Sequence, residues 1–221
     1  YNFATKTVSA FEKGMPVWHF YGYQFDHIDQ ETGVPVMKDL DGDEEITDDD
    51  KTNIGCAIPS VTYGITLTAA YKGFDLTVFG TGTAGNDIFM CLQMPDKLAS
   101  NRIKEVFYDG RWIAGADNSH AMKPAASADL GEYLYSDAMV YDGSYFKIKQ
   151  IQLGYTFPKK WLSKACISNL RLYCSLEDFF TFTSYPGMDP EVSAGTGAAQ
   201  GIDVGGYPIS KKVVAGVNIT F

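Results

Sequence analysis

Residues Val61–Tyr71, VTYGITLTAAY, alternate without a break. Tyr63, Ile65, Leu67, Ala69 and Tyr71 share one parity, and Thr62, Gly64, Thr66, Thr68 and Ala70 share the other. A period of two held over ten residues predicts a long β-strand with one apolar and one small, polar face. Lys72-Gly73 predicts a tight turn, since Gly supplies positive φ. Phe74 to Thr81 then continues as a second strand, with Phe74, Leu76 and Val78 on one face and Asp75 and Thr77 on the other. The same alternation predicts strands in NLRLYCSLED from Asn169, in KKVVAGVNITF up to Phe221, and from Gln150 to Phe157. Just upstream of Gln150 the phase changes: Phe146 and Ile148 are apolar and Lys147 and Lys149 are not, which predicts a bulge or the strand leaving a membrane. WHFYGYQF at Trp18–Phe25 reads as a sixth strand.

The polar faces are built of Thr, Gly, Asn, Ser and Gln rather than Lys and Glu, and Tyr and Phe gather near strand ends. A barrel lumen tolerates small polar groups, and a membrane-spanning barrel carries aromatic girdles at both interfaces. A soluble β-sandwich is the alternative on pattern alone. The connections divide the two readings: Lys72-Gly73 and the stretch 158–168 are short, whereas about 26–60, 82–142 and 179–210 are long. Short turns on one side and long loops on the other are the habit of an outer-membrane barrel. Within the longest loop, Pro95 to Phe107 has a helical period.

Fourteen Tyr, fourteen Phe and three Trp exclude intrinsic disorder. The net charge of −9 opposes nucleic-acid binding. No pair among Cys56, Cys91, Cys166 and Cys174 has zinc-knuckle or redox spacing. No run of 18 apolar residues predicts a transmembrane helix, which leaves a transmembrane β-barrel open. The opening YNFATKTVSAF is already mid-pattern, as expected of a processed protein or of a piece of a longer one.

One motif points to a metal. DLDGDEEITDDD, residues 39–50, puts carboxylates at loop positions 1, 3, 5 and 12 (Asp39, Asp41, Asp43 and Asp50), with the carbonyl of Glu45 at position 7. Ca²⁺ takes six to eight hard oxygens, and a 12-residue loop of this kind supplies them. Glu44 stands where a turn-forming Gly is expected, and Asp50 is shorter than the usual bidentate Glu. The blander expectation is a solvated acidic turn. Aromatics in the long loops, Tyr108, Trp112, Tyr133, Tyr135 and Tyr141 in one and Phe179, Phe180, Phe182 and Tyr185 near another, offer ring faces for a sugar or anchors for packing. His19, His27 and His120 lack metal spacing. No nucleophile elbow, phosphate loop, dinucleotide fingerprint or distinct carboxylate pair marks an enzyme.

Several stretches together resemble the C-terminal part of the SusC/RagA family of TonB-dependent outer-membrane transporters of Bacteroidetes. They are VWHFYGYQFDHIDQETG, DLDGDEEITDDDKTNIG, PSVTYGITLTAAYKGFDLTVFGTGTAGNDIF, YDGSYFKIKQIQLGYTFPKKWLSK, ISNLRLYCSLEDFFTFTSYPGMDPEV and the strand ending in Phe221. The resemblance implies a 22-stranded antiparallel barrel, of which this chain supplies about the last six strands without the plug domain. It further implies an outer-membrane location, a SusD-like surface lipoprotein as lid, a TonB complex acting on the absent plug, and import of an oligosaccharide or peptide. The rival expectations are a secreted carbohydrate-binding β-sandwich stiffened by calcium, and a structural barrel or adhesin.

Overall fold

The computed structural model describes residues 2–3, 6–91, 110–125, 127–162, 166–191 and 199–221. The helical period at 95–107 lies outside the described residues. The chain divides into two compact units: residues 60–84, 144–184 and 208–221 form one, and residues 1–59, 85–143 and 185–207 form the other. Charge divides with them. The first unit has nine basic and three acidic residues, a balance of +6; the second has nine basic and 24 acidic, a balance of −15.

The first unit is an antiparallel sheet of five long strands: β1 (Val61–Tyr71), β2 (Phe74–Ala84), β3 (Tyr145–Thr156), β4 (Asn169–Thr183) and β5 (Lys212–Thr220). Each pairs with its sequence neighbour, in the order β5-β4-β3-β2-β1. β1 and β5 present their outer edges unpaired among the described residues. At one end, Lys72 and Gly73 join β1 to β2 with φ of 48° and 88°, the geometry of a two-residue hairpin turn. At that same end residues 157–168 join β3 to β4, with one helical turn at Lys159–Leu162. The long connections, 85–144 and 184–211, leave the opposite end.

One face of this sheet is apolar from end to end. Successive rows across the strands are Tyr71, Phe74, Tyr155, Leu172 and Val217; then Ala69, Leu76, Leu153, Cys174 and Ala215; then Leu67, Val78, Ile151, Leu176 and Val213. The next row would fall on the wrong parity of β3, but the register shifts between Ile148 and Gln150 against both neighbours. β4 has its own irregularity there, with Asp178 at φ 57°. The two displaced residues meet: Lys149 Nζ lies 3.1 Å from Asp178 Oδ1. Beyond the double bulge the apolar face resumes as Ile65, Gly80, Ile148 and Phe180, then Tyr63, Gly82, Phe146 and Phe182. The phase change read from the sequence is therefore a bulge.

Rings close both ends of this face. Near the long connections Tyr63 stacks with Phe146 at 6.0 Å, and Phe146 with Phe182 at 6.4 Å. Glycines make room beneath: a Cβ at Gly82 would stand 2.6 Å from the Tyr63 ring, and one at Gly80 2.5 Å from the Phe146 ring. At the short-turn end Phe74, Tyr155, Phe157 and Trp161 run ring to ring at 4.5, 4.9 and 6.2 Å. Between these bands Ile65, Leu67, Leu153, Leu172 and Val217 stay exposed. A sandwich would lay a second sheet on this face, and no element of the unit does so among the described residues.

The other face is polar, and an ion pair crosses it. Arg171 on β4 reaches across β3 to Asp75 on β2, with Nε donating to Oδ1 at 3.0 Å and Nη2 donating to Oδ2. The intervening residue is Gly154, where a Cβ would stand 2.6 Å from the Asp75 carboxylate. The Arg171 guanidinium also sits 5.2 Å over the Tyr173 ring, which leans on Gly216 of β5.

The second unit is made of the connections. The sequence reading takes these as loops and Trp18–Phe25 as a barrel strand; the structure corrects both. His19–Gly22 is a short strand between Ser9–Ala10 and Thr52–Cys56, and Phe25–Ile28 forms a separate hairpin with Pro35–Met37. The extended run breaks after Gly22, where Tyr23 bridges to Ser136 and Gln24 O accepts from Lys38 N–H. Phe20, Tyr23, Phe89, Leu134, Met139 and Ile202 lie at the centre of a buried core. Segments this long carry enough apolar surface to bury their own core.

Gly154→Val should displace the Asp75–Arg171 pair and lower unfolding stability by about 1–3 kcal/mol, as overpacking does. The readout is the midpoint of chemical unfolding of the protein in detergent micelles, against Gly64→Val, where the nearest atoms to a new Cβ lie 3.7 Å away.

Candidate functional site

The acidic loop at 39–50 begins just after the strand Pro35–Met37 and ends in a short 3₁₀ turn at Asp48–Asp50. Its carboxylates fold it. Asp39 accepts from the N–H groups of Gly42 at 2.6 Å and Glu44 at 2.9 Å. Asp41 accepts from Asp43 N–H at 3.1 Å, and Asp43 from Glu45 N–H at 2.8 Å. Glu44 takes φ 66°, the left-handed conformation for which the sequence reading expects Gly. Carboxylate oxygens of Asp39, Asp41 and Asp43 converge within 4.8 Å of one another at the surface. The hydrogen bond from Asp43 draws the Asp41 carboxyl down, but desolvation and the charges of Asp43, Asp50 and Asp39 outweigh it and leave Asp41 above its ordinary value.

Asp50 stands apart from this cluster. It is fully buried, and its two oxygens accept from Leu40 N–H at 2.7 Å and Thr47 N–H at 2.8 Å. Thr47 Oγ1 in turn accepts from Asp49 N–H, completing a capping box. Asp50 thus closes the loop on itself. The Glu45 side chain is exposed and does not join the three aspartates. Three hard carboxylate oxygens in one place are a donor set that could hold a divalent cation. The loop is tied to the core through Asp48, which accepts from Tyr23 Oη at 3.0 Å and pairs with Lys51 at 2.9 Å.

The aromatic candidates do not form one shared surface. Tyr108 lies outside the described residues. Tyr133 and Tyr135 are only 3% and 7% exposed and belong to the core, which corrects the expectation of ring faces turned to a sugar. Their 3₁₀ segment, Gly131–Tyr135, packs inward, with Tyr133 edge-on to Phe25 at 5.5 Å. Tyr133 also walls a cavity of about 350 Å³ with Val34, Met37, Ile46 and Leu130. Trp112 is half-buried and structural: its indole N–H donates to Gln30 O at 2.9 Å, and its ring fills the space beside Gly33. The histidines are scattered. His19 is buried with Nδ1 3.0 Å from Pro16 O, and His27 contacts Asp26.

Sequence reasoning missed one buried polar pair. Tyr185 Oη donates to Asp203 Oδ2 at 2.6 Å, with both residues buried. Burial first, then this hydrogen bond, pushes the phenol far above its usual value. Burial and the Asp203 charge push the nearby Cys91 thiol up to about 12. These groups sit some eighteen residues apart or more, with no motif to announce them.

TonB-dependent receptor P3 of Formosa agariphila is 28% identical over the whole of this chain. TonB-dependent receptor SusC of Bacteroides thetaiotaomicron is 26% identical over 97% of it. This chain is homologous to TonB-dependent receptors, SusC among them. It spans about a quarter of the length of P3 and a fifth of SusC: 24% and 20%. No family model matches it. Solved structures of the RagAB peptide importer share its fold, with a TM-score of 0.75 at 23% identity in the closed-closed state and 0.74 at 22% in the open-open state. Each match covers all of this chain, and about a quarter of the other.

Backbone hydrogen bonds, from Thr47 first and then from Leu40 and Asp41, hold the Asp50 carboxyl below its ordinary value of 3.8 against the opposing effect of burial. A depressed folded value means that the loop closure is complete above that range and is lost as pH falls through the folded value. Asp50→Ala should speed amide exchange at Leu40 and Thr47 at least tenfold near neutral pH. Acidification of the wild type below the carboxylate range should reproduce the effect.

Proposed function

We propose that this chain forms part of the wall of an outer-membrane TonB-dependent importer that takes up oligosaccharides or peptides with a SusD-like surface lipoprotein. The observation that carries this reading is the apolar sheet face bracketed by two rows of rings. Tyr63 and Tyr71 mark the rows on β1, eight residues apart. That separation is about 26 Å along a strand at ~3.3 Å per residue, and about 20 Å along the membrane normal for a tilt of ~40°. With the rings themselves it suits the apolar band of about 25 Å that such barrels present to lipid. The polar face, with its Arg171–Asp75 pair, then turns to the lumen. The homology to TonB-dependent receptors supports the energy source and the location, and likeness to SusC supports the lipoprotein partner.

Cys174, exposed near the centre of the apolar face, tests the placement. In intact outer membranes it should resist a charged, water-soluble maleimide and react fully once the protein is unfolded in detergent. Full labelling in intact membranes would remove the lipid-facing assignment. Purification from solubilised membranes should carry a surface lipoprotein in equal amount.

Within this reading the Asp39–Asp41–Asp43 cluster takes calcium, which would offset the mutual repulsion that holds Asp41 up. Millimolar calcium should slow proteolysis within 39–50 in the wild type and leave the D41N/D43N variant unchanged.

A further inference from the structure

The short-turn end of the sheet combines three features that the importer reading does not use. The first is charge. Lys159 and Lys160 follow β3 at this end, and Lys72 stands in the turn between β1 and β2. The acid nearest in the strands, Asp75, is held by Arg171 on the polar face. The second is placement. Thr156 N–H donates to Gly73 O at 2.7 Å and Phe157 N–H to Leu170 O at 2.9 Å, which ties the Lys72–Gly73 turn to the end of β3, from which the Lys159–Leu162 helical turn follows. Lys72 Nζ lies 5.0 Å over the Tyr71 ring, and Trp161, 66% exposed, continues the ring band. The third is a groove of about 280 Å³ in the apolar face just inside that band, walled by Phe74, Leu153, Tyr155, Leu172 and Cys174.

We propose that this end of the sheet binds an anionic phospholipid, its headgroup phosphate at Lys72 and Lys159 and an acyl chain in the groove beside Leu153 and Leu172. This rests on the membrane-spanning reading above. Tyr and Trp settle at headgroup level, and lysine stems lie along apolar surface while the ammonium reaches the polar layer. Lysines at this end therefore reach the depth of phosphates, beside a shallow apolar groove along which an acyl chain can lie. A zwitterionic lipid brings its own cation to this already basic end. An anionic one does not, and charge complementarity selects it.

The test uses protein purified from its outer membrane in mild detergent, stripped of lipid and titrated with phosphatidylglycerol or phosphatidylcholine, with bound lipids counted by native mass spectrometry. The wild type should retain phosphatidylglycerol at least fivefold more than phosphatidylcholine. The K72Q/K159Q/K160Q variant should lose that preference while still fractionating with the membrane. Equal retention of the two lipids by wild type, or an unchanged preference in the variant, overturns the proposal. So does displacement of the lipid by millimolar inorganic phosphate, which would mark a free-anion site. Protein that never fractionates with membrane sinks the spanning reading instead, so the two failures are told apart.

Discussion

Strand alternation forces a choice at every residue, because a slip of one position turns an entire strand inside out. In this sheet the choice is nearly lost in β3, where four residues upstream of Gln150 are out of phase with the eight that follow. The double bulge restores it. Lys149 is the extra residue of β3, β4 leaves Asp178 and Phe179 out of the register opposite it, and the Lys149–Asp178 ion pair sets the two irregularities against one another. On β3, Phe146 and Ile148 owe their face to this correction. Without it, Phe146 and Ile148 would point to the polar side, and Lys147 would enter the apolar one.

The second constraint is space. Rings on this sheet are large, and the strands beside them carry glycine where the rings must lie: Gly82 under Tyr63, Gly80 beside Phe146, Gly216 under Tyr173. Gly154 does the same for an ion pair. Glycine in a strand ordinarily weakens it, so its use at these places reflects what crosses above. The unit made from connections solves a different problem. It has little regular structure and closes around buried aromatics, with single hydrogen bonds such as Tyr23 to Asp48 and Trp112 to Gln30 fixing the long segments.

Much of this was legible in the sequence. The five long strands, the two short turns and the bulge all follow from a period of two and one phase change, because a strand writes its two environments into alternate residues. The convergence of Asp39, Asp41 and Asp43 was legible for a similar reason: spacing of two in a short loop. What the sequence hid depends on distant partners. Asp50 looks like a fourth member of the acidic set, yet its burial makes it a backbone acceptor. Tyr133 and Tyr135 look like loop aromatics, yet they pack a core assembled from three separate segments. His19–Gly22 alternates like the long strands, and only its pairing with Ser9–Ala10 and Thr52–Cys56 sets it elsewhere.

The segregation of charge has a consequence for whatever diffuses toward the second unit. A balance of −15 on that unit attracts a cloud of counter-ions and lowers the local concentration of anionic solutes, over a Debye length of about 8 Å at physiological ionic strength. Neutral solutes are unaffected and cationic ones are drawn in. Anionic solutes are slowed at this surface, and more so at low ionic strength than at high. Salt concentration thus becomes a term in which solutes reach this part of the protein.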